Sequence, residues 1–230
     1  MKTIGLIGGM SWESSLEYYR IINECVRDQL GGLHSAKIVL YSFDLAEIAV
    51  LQDEGNWNAA AQLLTGAAQG LEQIGADVLV ICTNTMHKLA DQVEKSVSVP
   101  LLHIADATAE NIKTKGLKRM GLLGTKFTME ENFYKERLTD KHGLEVIVPK
   151  EDERHVVNHV IYDELCRGRV KPSSKEMFCR IMQNLVANGA EGIILGCTEI
   201  GLLVDQQDIQ IPLFDTTIIH AKAAAQFALE

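Results

Sequence analysis

The sequence lacks long hydrophobic runs. No segment reaches the roughly 18 consecutive apolar residues that a membrane-spanning helix needs. The first residues, MKTIGLIGGMSWE, are apolar only briefly, which predicts a β-strand and not a signal peptide. We therefore expect a cytoplasmic protein that does not associate with membranes.

Positive charge is scarce as well. The chain has 22 Lys and Arg residues against 31 Asp and Glu residues, a formal net charge of −9. Because binding to phosphate backbones needs a basic surface, this balance excludes nucleic acid as the main partner. It does not restrict the substrate, since an acidic surface can surround a locally positive pocket.

Cysteines are few and widely spaced. The five are Cys25, Cys82, Cys166, Cys179 and Cys197, with no CxxC pair and no His/Cys cluster. This pattern argues against a disulfide framework and against a zinc site. The GLIGGM loop lacks the GxGxxG spacing of a dinucleotide site. We therefore expect no cofactor and no metal, and we treat each cysteine first as a small buried hydrophobe.

Short apolar runs alternate with longer amphipathic stretches. Strands are predicted at 3–8, 37–42 and 78–83, and helices at 14–30 and 56–74. Strands that are almost entirely apolar and alternate with helices predict an α/β fold, with a parallel sheet covered by helices on both faces.

The second half of the chain repeats the first. The pairs are GLIG (5–8) with GLLG (121–124), GADVLVICTNT (75–85) with GAEGIILGCTE (189–199), and VPLLHI (99–104) with IPLFDT (211–216). Two unrelated α/β segments could share such patterns, but three pairs in the same order favour a duplication. The repeat predicts two α/β domains, residues 1–98 plus 212–230 and residues 99–211.

Cys197 is the first candidate for chemistry. It follows the predicted strand 192–195, and Gly196 before it lets the backbone turn. We predict that Thr198 and Glu199 open a helix, whose N-terminus would lower the thiol pKa and make Cys197 a base. The alternative is a buried structural cysteine. In the repeat Cys197 corresponds to Thr83, and both follow strand ends, where parallel sheets bind ligands.

Several motifs together resemble the aspartate/glutamate racemase family over essentially the whole chain. They are IGLIGGMSWES (4–14), CTNTMH (82–87), LLGT (122–125), DERHVVNHVIYDEL (152–165), GCTEI (196–200) and FDT (214–216). The chain is similar in particular to the broad-specificity and L-aspartate/glutamate-specific amino-acid racemases within that family.

The resemblance implies a reaction and its proton carriers. The family places the active site in a cleft between two pseudo-symmetric domains, acts on a small amino acid without pyridoxal phosphate, and commonly forms homodimers. One residue from each domain moves a proton at the α-carbon, here Cys197 and Thr83. The family usually has cysteine at the position of Thr83, whereas Cys82, one residue earlier, points to the opposite face of the strand and is predicted to be core. Because a hydroxyl is a poor base, we expect Cys197 to abstract the proton and the reverse reaction to be slow.

The resemblance also implies a set of substrate-binding residues: Met10, Gln52, Asn84, Thr85, Thr125, Tyr162 and Thr198. Gln52 falls in a predicted loop, 45–57. Acid-specific relatives carry a lysine where this chain has Cys166, so a less charged side chain such as homoserine fits as well as aspartate. Arg167 or Lys126 could replace the missing cation, although each is better explained as a surface charge.

Two other functions remain open at this stage. One is a decarboxylase or isomerase of the same superfamily, because the decarboxylases keep only the second-domain cysteine. The other is a catalytically silent amino-acid binding protein, which the loss of the first-domain cysteine would permit.

Overall fold

The strands form two sheets of four. In the computed structural model, which describes all 230 residues, the strands are β1 (Thr3–Gly8), β2 (Lys37–Ser42), β3 (Val78–Ile81), β4 (Leu101–Leu102), β5 (Arg119–Gly124), β6 (Glu145–Ile147), β7 (Gly192–Gly196) and β8 (Leu213–Asp215). All pairs are parallel, and the orders are β2-β1-β3-β4 and β6-β5-β7-β8. The two orders are equivalent, which confirms the repeat predicted from the sequence.

Ten α-helices connect the strands. They are α1 (Trp12–Leu30), α2 (Leu45–Asp53), α3 (Trp57–Gln73), α4 (Ala90–Ser96), α5 (Ile104–Lys113), α6 (Lys126–Glu130), α7 (Asn132–Glu136), α8 (Glu151–Asp163), α9 (Pro172–Ala187) and α10 (Thr216–Leu229). None of them combines the length and the apolar character that crossing a bilayer requires.

The chain divides into two compact units, with boundaries that differ from the predicted ones. The first unit is Met1–Ile104 with His220–Glu230, and the second is Ala105–Ile219. The sequence predicted earlier boundaries, at 98/99 and 211/212. The difference arises because β4 pairs with β3, and so stays in the first unit, while β8 pairs with β7 in the second.

The first sheet has a separate core on each face. Leu79 and Ile81 of β3 pack with α3, whereas Val78 and Val80, together with Cys82 directly after the strand, pack with α1 and α10. Successive side chains of a strand point to opposite faces, so a strand buried on both faces has to be apolar throughout. The predicted core position of Cys82 is thereby confirmed.

Helix α2 occupies the segment that was predicted to be a loop. Asp44 caps its N-terminus, where the carboxylate accepts from the Ala46 N–H at 3.0 Å. The sequence of the helix, LAEIAVLQD, is apolar on most sides and lacks a clear 3.6-residue alternation. Periodicity therefore does not reveal this helix, and Gln52 lies on it rather than in a loop.

Asp106, on the first turn of α5, anchors a charged cluster in the second unit. Its carboxylate accepts from Arg137 at 2.7 and 2.8 Å, from Lys141 at 2.7 Å and from His142 at 2.8 Å. Burial alone would raise the pKa of Asp106, but these hydrogen bonds outweigh it and hold the pKa well below its ordinary value.

Replacing Asp106 by asparagine is expected to lower the free energy of unfolding at pH 7 by about 1.5–3 kcal/mol, the usual range for hydrogen bonds to a charged group. A carboxylate with a depressed pKa stabilises the fold above its unfolded pKa of about 3.9 and loses that effect as pH falls. Denaturant titrations should therefore show the difference between wild type and D106N shrinking below about pH 4. An equal difference at pH 7 and pH 3 would contradict this prediction.

Candidate active site

Cys197 lies immediately beyond β7 and is buried. It belongs to the same apolar cluster as Leu195 and Ile193, the residues two and four positions before it on the strand. Gly196 is required there because a Cβ atom at that position would come within 2.9 Å of the carbonyl oxygen of Leu123. Close packing of two strand ends therefore fixes the backbone that carries Cys197.

The thiol of Cys197 contacts a carboxylate. Its Sγ donates to Oε2 of Glu199 at 2.9 Å, and the Thr198 hydroxyl donates to the same oxygen at 2.8 Å. Burial, and next the negative charge of Glu199, raise the pKa of Cys197 well above its ordinary value. The protein without substrate therefore holds this residue as a thiol whose proton points at an acceptor.

This environment differs from the predicted one. No α-helix begins at Thr198; a turn is followed by a short 3₁₀ segment, Ile200–Leu202. The expected lowering of the Cys197 pKa by a helix N-terminus is therefore wrong. Glu199, which was expected to open that helix, accepts the hydrogen bond from the thiol.

Thr83 occupies the equivalent position after β3. It is partly buried, while the adjacent Cys82 is buried within the core and burial raises the pKa of its thiol. Asn84 is buried, and Thr85 begins a 3₁₀ segment that runs to Leu89. Thr83 is thus the first side chain after the strand that is not fully buried in the core.

Helix α2 brings Gln52 to the 3₁₀ segment that begins at Thr85. Gln52 is buried, and its Nε2 lies 3.1 Å from Sδ of Met86, a residue of the 3₁₀ segment. Met10 is only 8% exposed and belongs to the same apolar cluster as Met86. Gln52 therefore contacts the 3₁₀ segment that follows Thr83 and Asn84, and Met10 belongs to the apolar cluster that includes Met86 of this segment.

Three serines hold the loop that carries Met10, and sequence reasoning did not single them out. The Ser15 hydroxyl accepts from the Gly9 N–H at 2.8 Å and donates to the Ser11 carbonyl at 3.1 Å. The Ser14 hydroxyl donates to the Cys82 carbonyl at 3.0 Å. Gly9 has a φ of +81°, and a Cβ there would clash with the Phe43 backbone. The only signal in the sequence is the serine-rich segment SWESS shortly after two glycines, because serine is a favoured N-cap residue.

Thr125 and Cys197 follow neighbouring strand ends in the second unit. Gly124 at the end of β5 pairs with Gly196 at the end of β7. Thr125 is buried and caps α6, where its hydroxyl oxygen accepts from the Thr128 N–H at 3.3 Å. Both residues therefore lie at the carboxyl edge of the sheet.

A family model for Asp/Glu/hydantoin racemases matches residues 7–224 of the chain. The chain belongs to this family. Among solved structures, a provisionally assigned Asp/Glu racemase from Yersinia pestis is 58% identical with a TM-score of 0.94, and an aspartate racemase homologue from Pyrococcus horikoshii is 37% identical with a TM-score of 0.87. In both comparisons the match covers 100% of each chain.

A relative with a named activity is the broad-specificity amino-acid racemase RacX of Bacillus subtilis. It is 28% identical over 229 residues, which cover 96% of this chain and 95% of that protein. The racemase family and the two-unit fold, both expected from the motifs, are thus confirmed.

The remaining predicted residues of this racemase-family chain separate into two groups. Tyr162 and Cys166 are partly buried and pack against the apolar cluster that contains Cys197, and Cys166 also raises the pKa of Cys197. Arg167 is exposed and lies 3.4 Å from Asp163, and Lys126 is also exposed.

Proposed function

We propose that this protein is an amino-acid racemase that needs no cofactor and moves a proton at the α-carbon with Cys197 and Thr83. One observation carries the proposal. In a chain of the racemase family, a thiol at a strand end donates a hydrogen bond to a carboxylate at 2.9 Å. A thiol must lose its proton to act as a base, and Glu199 is an acceptor already in contact with it.

The proposed reaction begins with substrate binding. The raised pKa of Cys197 favours the protonated thiol before a substrate binds. The ammonium group of an amino acid would favour the thiolate by its positive charge. The proton of Cys197 then passes to Glu199, and the thiolate takes the α-proton while the electron pair moves into the substrate carboxylate.

Thr83 completes the inversion in this proposal. Its hydroxyl donates a proton to the opposite face of the α-carbon and regains one from water. Cys197 is then a thiol again, and Glu199 releases its proton to solvent. Because a hydroxyl abstracts protons poorly, the enantiomer deprotonated by Cys197 should react faster than the other.

Polar groups at the strand ends are proposed to hold the substrate. Asn84, Thr85, Thr125 and Thr198 would bind the α-carboxylate and stabilise the charge that develops on it. Met10 would lie near the α-carboxylate, and Gln52 and Tyr162 would contact the side chain. With Cys166 where acid-specific relatives have lysine, aspartate, glutamate and homoserine are the substrates to compare.

Product analysis tests the proposed function. L-Aspartate, L-glutamate and L-homoserine are each incubated with the purified protein, and the D-enantiomer is measured by chiral chromatography. Formation of a D-amino acid supports the proposal, and its absence with all three contradicts it for these substrates. Release of CO₂ would instead indicate a decarboxylase, and a ligand-dependent rise in melting temperature without any product would indicate a binding protein.

We also propose a cytoplasmic homodimer. Five free cysteines suit a reducing compartment, and recovery of the protein in a periplasmic or membrane fraction would argue against it.

Trp12, Leu16 and Tyr19 follow one another on α1 at helical spacing and are 65%, 55% and 51% exposed, which is typical of a surface that a second subunit covers. Sedimentation equilibrium should give twice the chain mass of 25.4 kDa; a monomer mass would contradict the dimer.

A further inference from the structure

Three histidines and a tyrosine form a buried cluster in the first unit. The rings of His87 and His103 have centroids 4.5 Å apart, and those of His87 and His220 are 5.7 Å apart. His220 also contacts Tyr18 edge to face at 5.6 Å. All four side chains are at most 5% exposed. The chain has no group of three or more His, Cys, Asp or Glu residues arranged to hold a metal ion.

The partners of His87 determine which of its nitrogens carries the proton. Nδ1 lies 2.7 Å from the carbonyl oxygen of Thr83, and a carbonyl can only accept. Nε2 accepts from the backbone N–H of Ile104 at 3.1 Å. Nδ1 therefore carries the hydrogen and Nε2 does not. His87 is a neutral imidazole with one tautomer fixed by two backbone groups.

His220 is fixed in the same manner, with the opposite tautomer. Its Nε2 lies 2.8 Å from the Leu102 carbonyl and must donate, so its Nδ1 accepts from the Tyr18 hydroxyl at 2.8 Å. Burial lowers the pKa of His220 to about 4, which keeps it neutral at physiological pH. Tyr18 and His220 thereby hold the end of β4, two residues before Ile104, the first residue of α5, whose N–H donates to His87.

We propose that His87 is a positioning residue that aims the Thr83 side chain by holding the Thr83 carbonyl. This role rests on the proposed function, because it matters only if Thr83 delivers a proton. A hydrogen bond to the carbonyl holds the peptide plane between Thr83 and Asn84, which restrains ψ of Thr83 and φ of Asn84 and so the placement of the Cα–Cβ bonds that carry both side chains. His103, packed beside the His87 ring, restricts rotation of that ring.

The hydrogen bond from His87 should matter for only one step of the proposed reaction, the delivery of a proton by Thr83. Proton delivery requires donor and acceptor atoms in hydrogen-bond reach, and a displacement of about 1 Å can cost roughly 10²-fold in rate. Cys197 is held by β7 and Glu199 and does not depend on His87 for its hydrogen bond. Loss of the His87 bond should therefore impair the step that Thr83 performs and spare the step that Cys197 performs.

Two substitutions distinguish the hydrogen bond of His87 Nδ1 from that of Nε2. The side-chain amide nitrogen of asparagine takes roughly the place of Nδ1, so His87→Asn retains a donor toward the Thr83 carbonyl. The amide group of glutamine reaches roughly the place of Nε2, so His87→Gln retains the contact with Ile104 and loses the donor toward Thr83. Neither change introduces a charge into the core.

The measured quantity is a ratio of two rates. One is the formation of the inverted enantiomer, and the other is the exchange of the α-proton for deuterium with retention of configuration. Each protein is incubated in D₂O with the enantiomer that wild type deprotonates faster, deuterium uptake is followed by NMR, and the inverted product by chiral chromatography. We expect His87→Gln to lower the ratio of inversion to exchange by about 10- to 100-fold and His87→Asn to leave it within a few-fold of wild type. An unchanged ratio in His87→Gln, or the same loss in both variants, would overturn the proposal.

A measurement on wild type keeps the proposal testable if His87→Gln does not fold. In ¹⁵N-histidine NMR, the His87 signals should show a protonated Nδ1 and an unprotonated Nε2. The opposite tautomer, or a doubly protonated ring at neutral pH, would overturn the role. If wild type racemises its substrate and His87→Gln has the wild-type ratio of inversion to exchange, only the positioning role is refuted. If wild type shows no exchange at all, the proposed function is refuted.

Discussion

Replacing Cys197 by serine should lower α-proton exchange by about 10²- to 10⁴-fold, the range that a positioned acid–base group contributes. The serine hydroxyl has nearly the same shape and can still donate to Glu199, so the fold should persist. It is, however, a far weaker acid than a thiol and supplies no useful base. The rate of deuterium uptake at the α-carbon by the wild type and by C197S measures the effect.

Cys179→Ser is the matched control for this variant. Cys179 is on α9 and packs against the same apolar cluster as Cys197. Its replacement removes a thiol from the same unit without touching Glu199. Exchange in C179S should stay within a few-fold of wild type. An equal loss in both variants would mean that the effect reports stability and not catalysis.

Replacing Thr83 by alanine should abolish inversion while leaving exchange with retention. Without the hydroxyl, no group from the first unit returns a proton to the opposite face, so formation of the other enantiomer should fall by about 10²-fold or more. Cys197 can still remove and return the proton on its own face. Deuterium uptake without change of configuration is the expected signature.

Two further variants serve as controls for Thr83→Ala. Thr83→Ser keeps a hydroxyl and should retain most of the inversion. Cys82→Ala alters the adjacent residue, which faces the core, and should lower stability without changing the ratio of inversion to exchange. If T83A inverts its substrate at the wild-type rate, Thr83 does not carry the proton and the second proton carrier must be sought elsewhere.

The fold follows from the sequence because the sheets are buried on both faces. Val78–Ile81 and Gly192–Gly196 are apolar runs with glycine only where another chain segment approaches, and such runs have few other possible structures. Helix α2 was missed because capping by Asp44 and burial of Ile48 and Gln52 stabilise it without a clear periodic pattern. The domain boundaries were misplaced because pairing of the short strands β4 and β8 is a long-range property.

The positions of the site residues were predictable, and their electrostatics were not. Parallel strands end at one edge of a sheet, so the positions of Thr83 and Cys197 after β3 and β7 could be read from the repeat. The direction of the Cys197 pKa shift depends on burial and on the side-chain conformation of Glu199, which no sequence pattern reveals. The role of His87 depends equally on contacts with Thr83 and Ile104 that only the folded chain creates.

In the proposed reaction Cys197 removes a proton from the α-carbon of an amino acid. Proton NMR in D₂O follows this removal, with both enantiomers of aspartate, glutamate and homoserine and with C197S beside the wild type. We expect loss of the α-proton signal for at least one substrate, faster for one enantiomer, and no such loss with C197S. Retention of the signal for every substrate, or an equal rate in C197S, would contradict it.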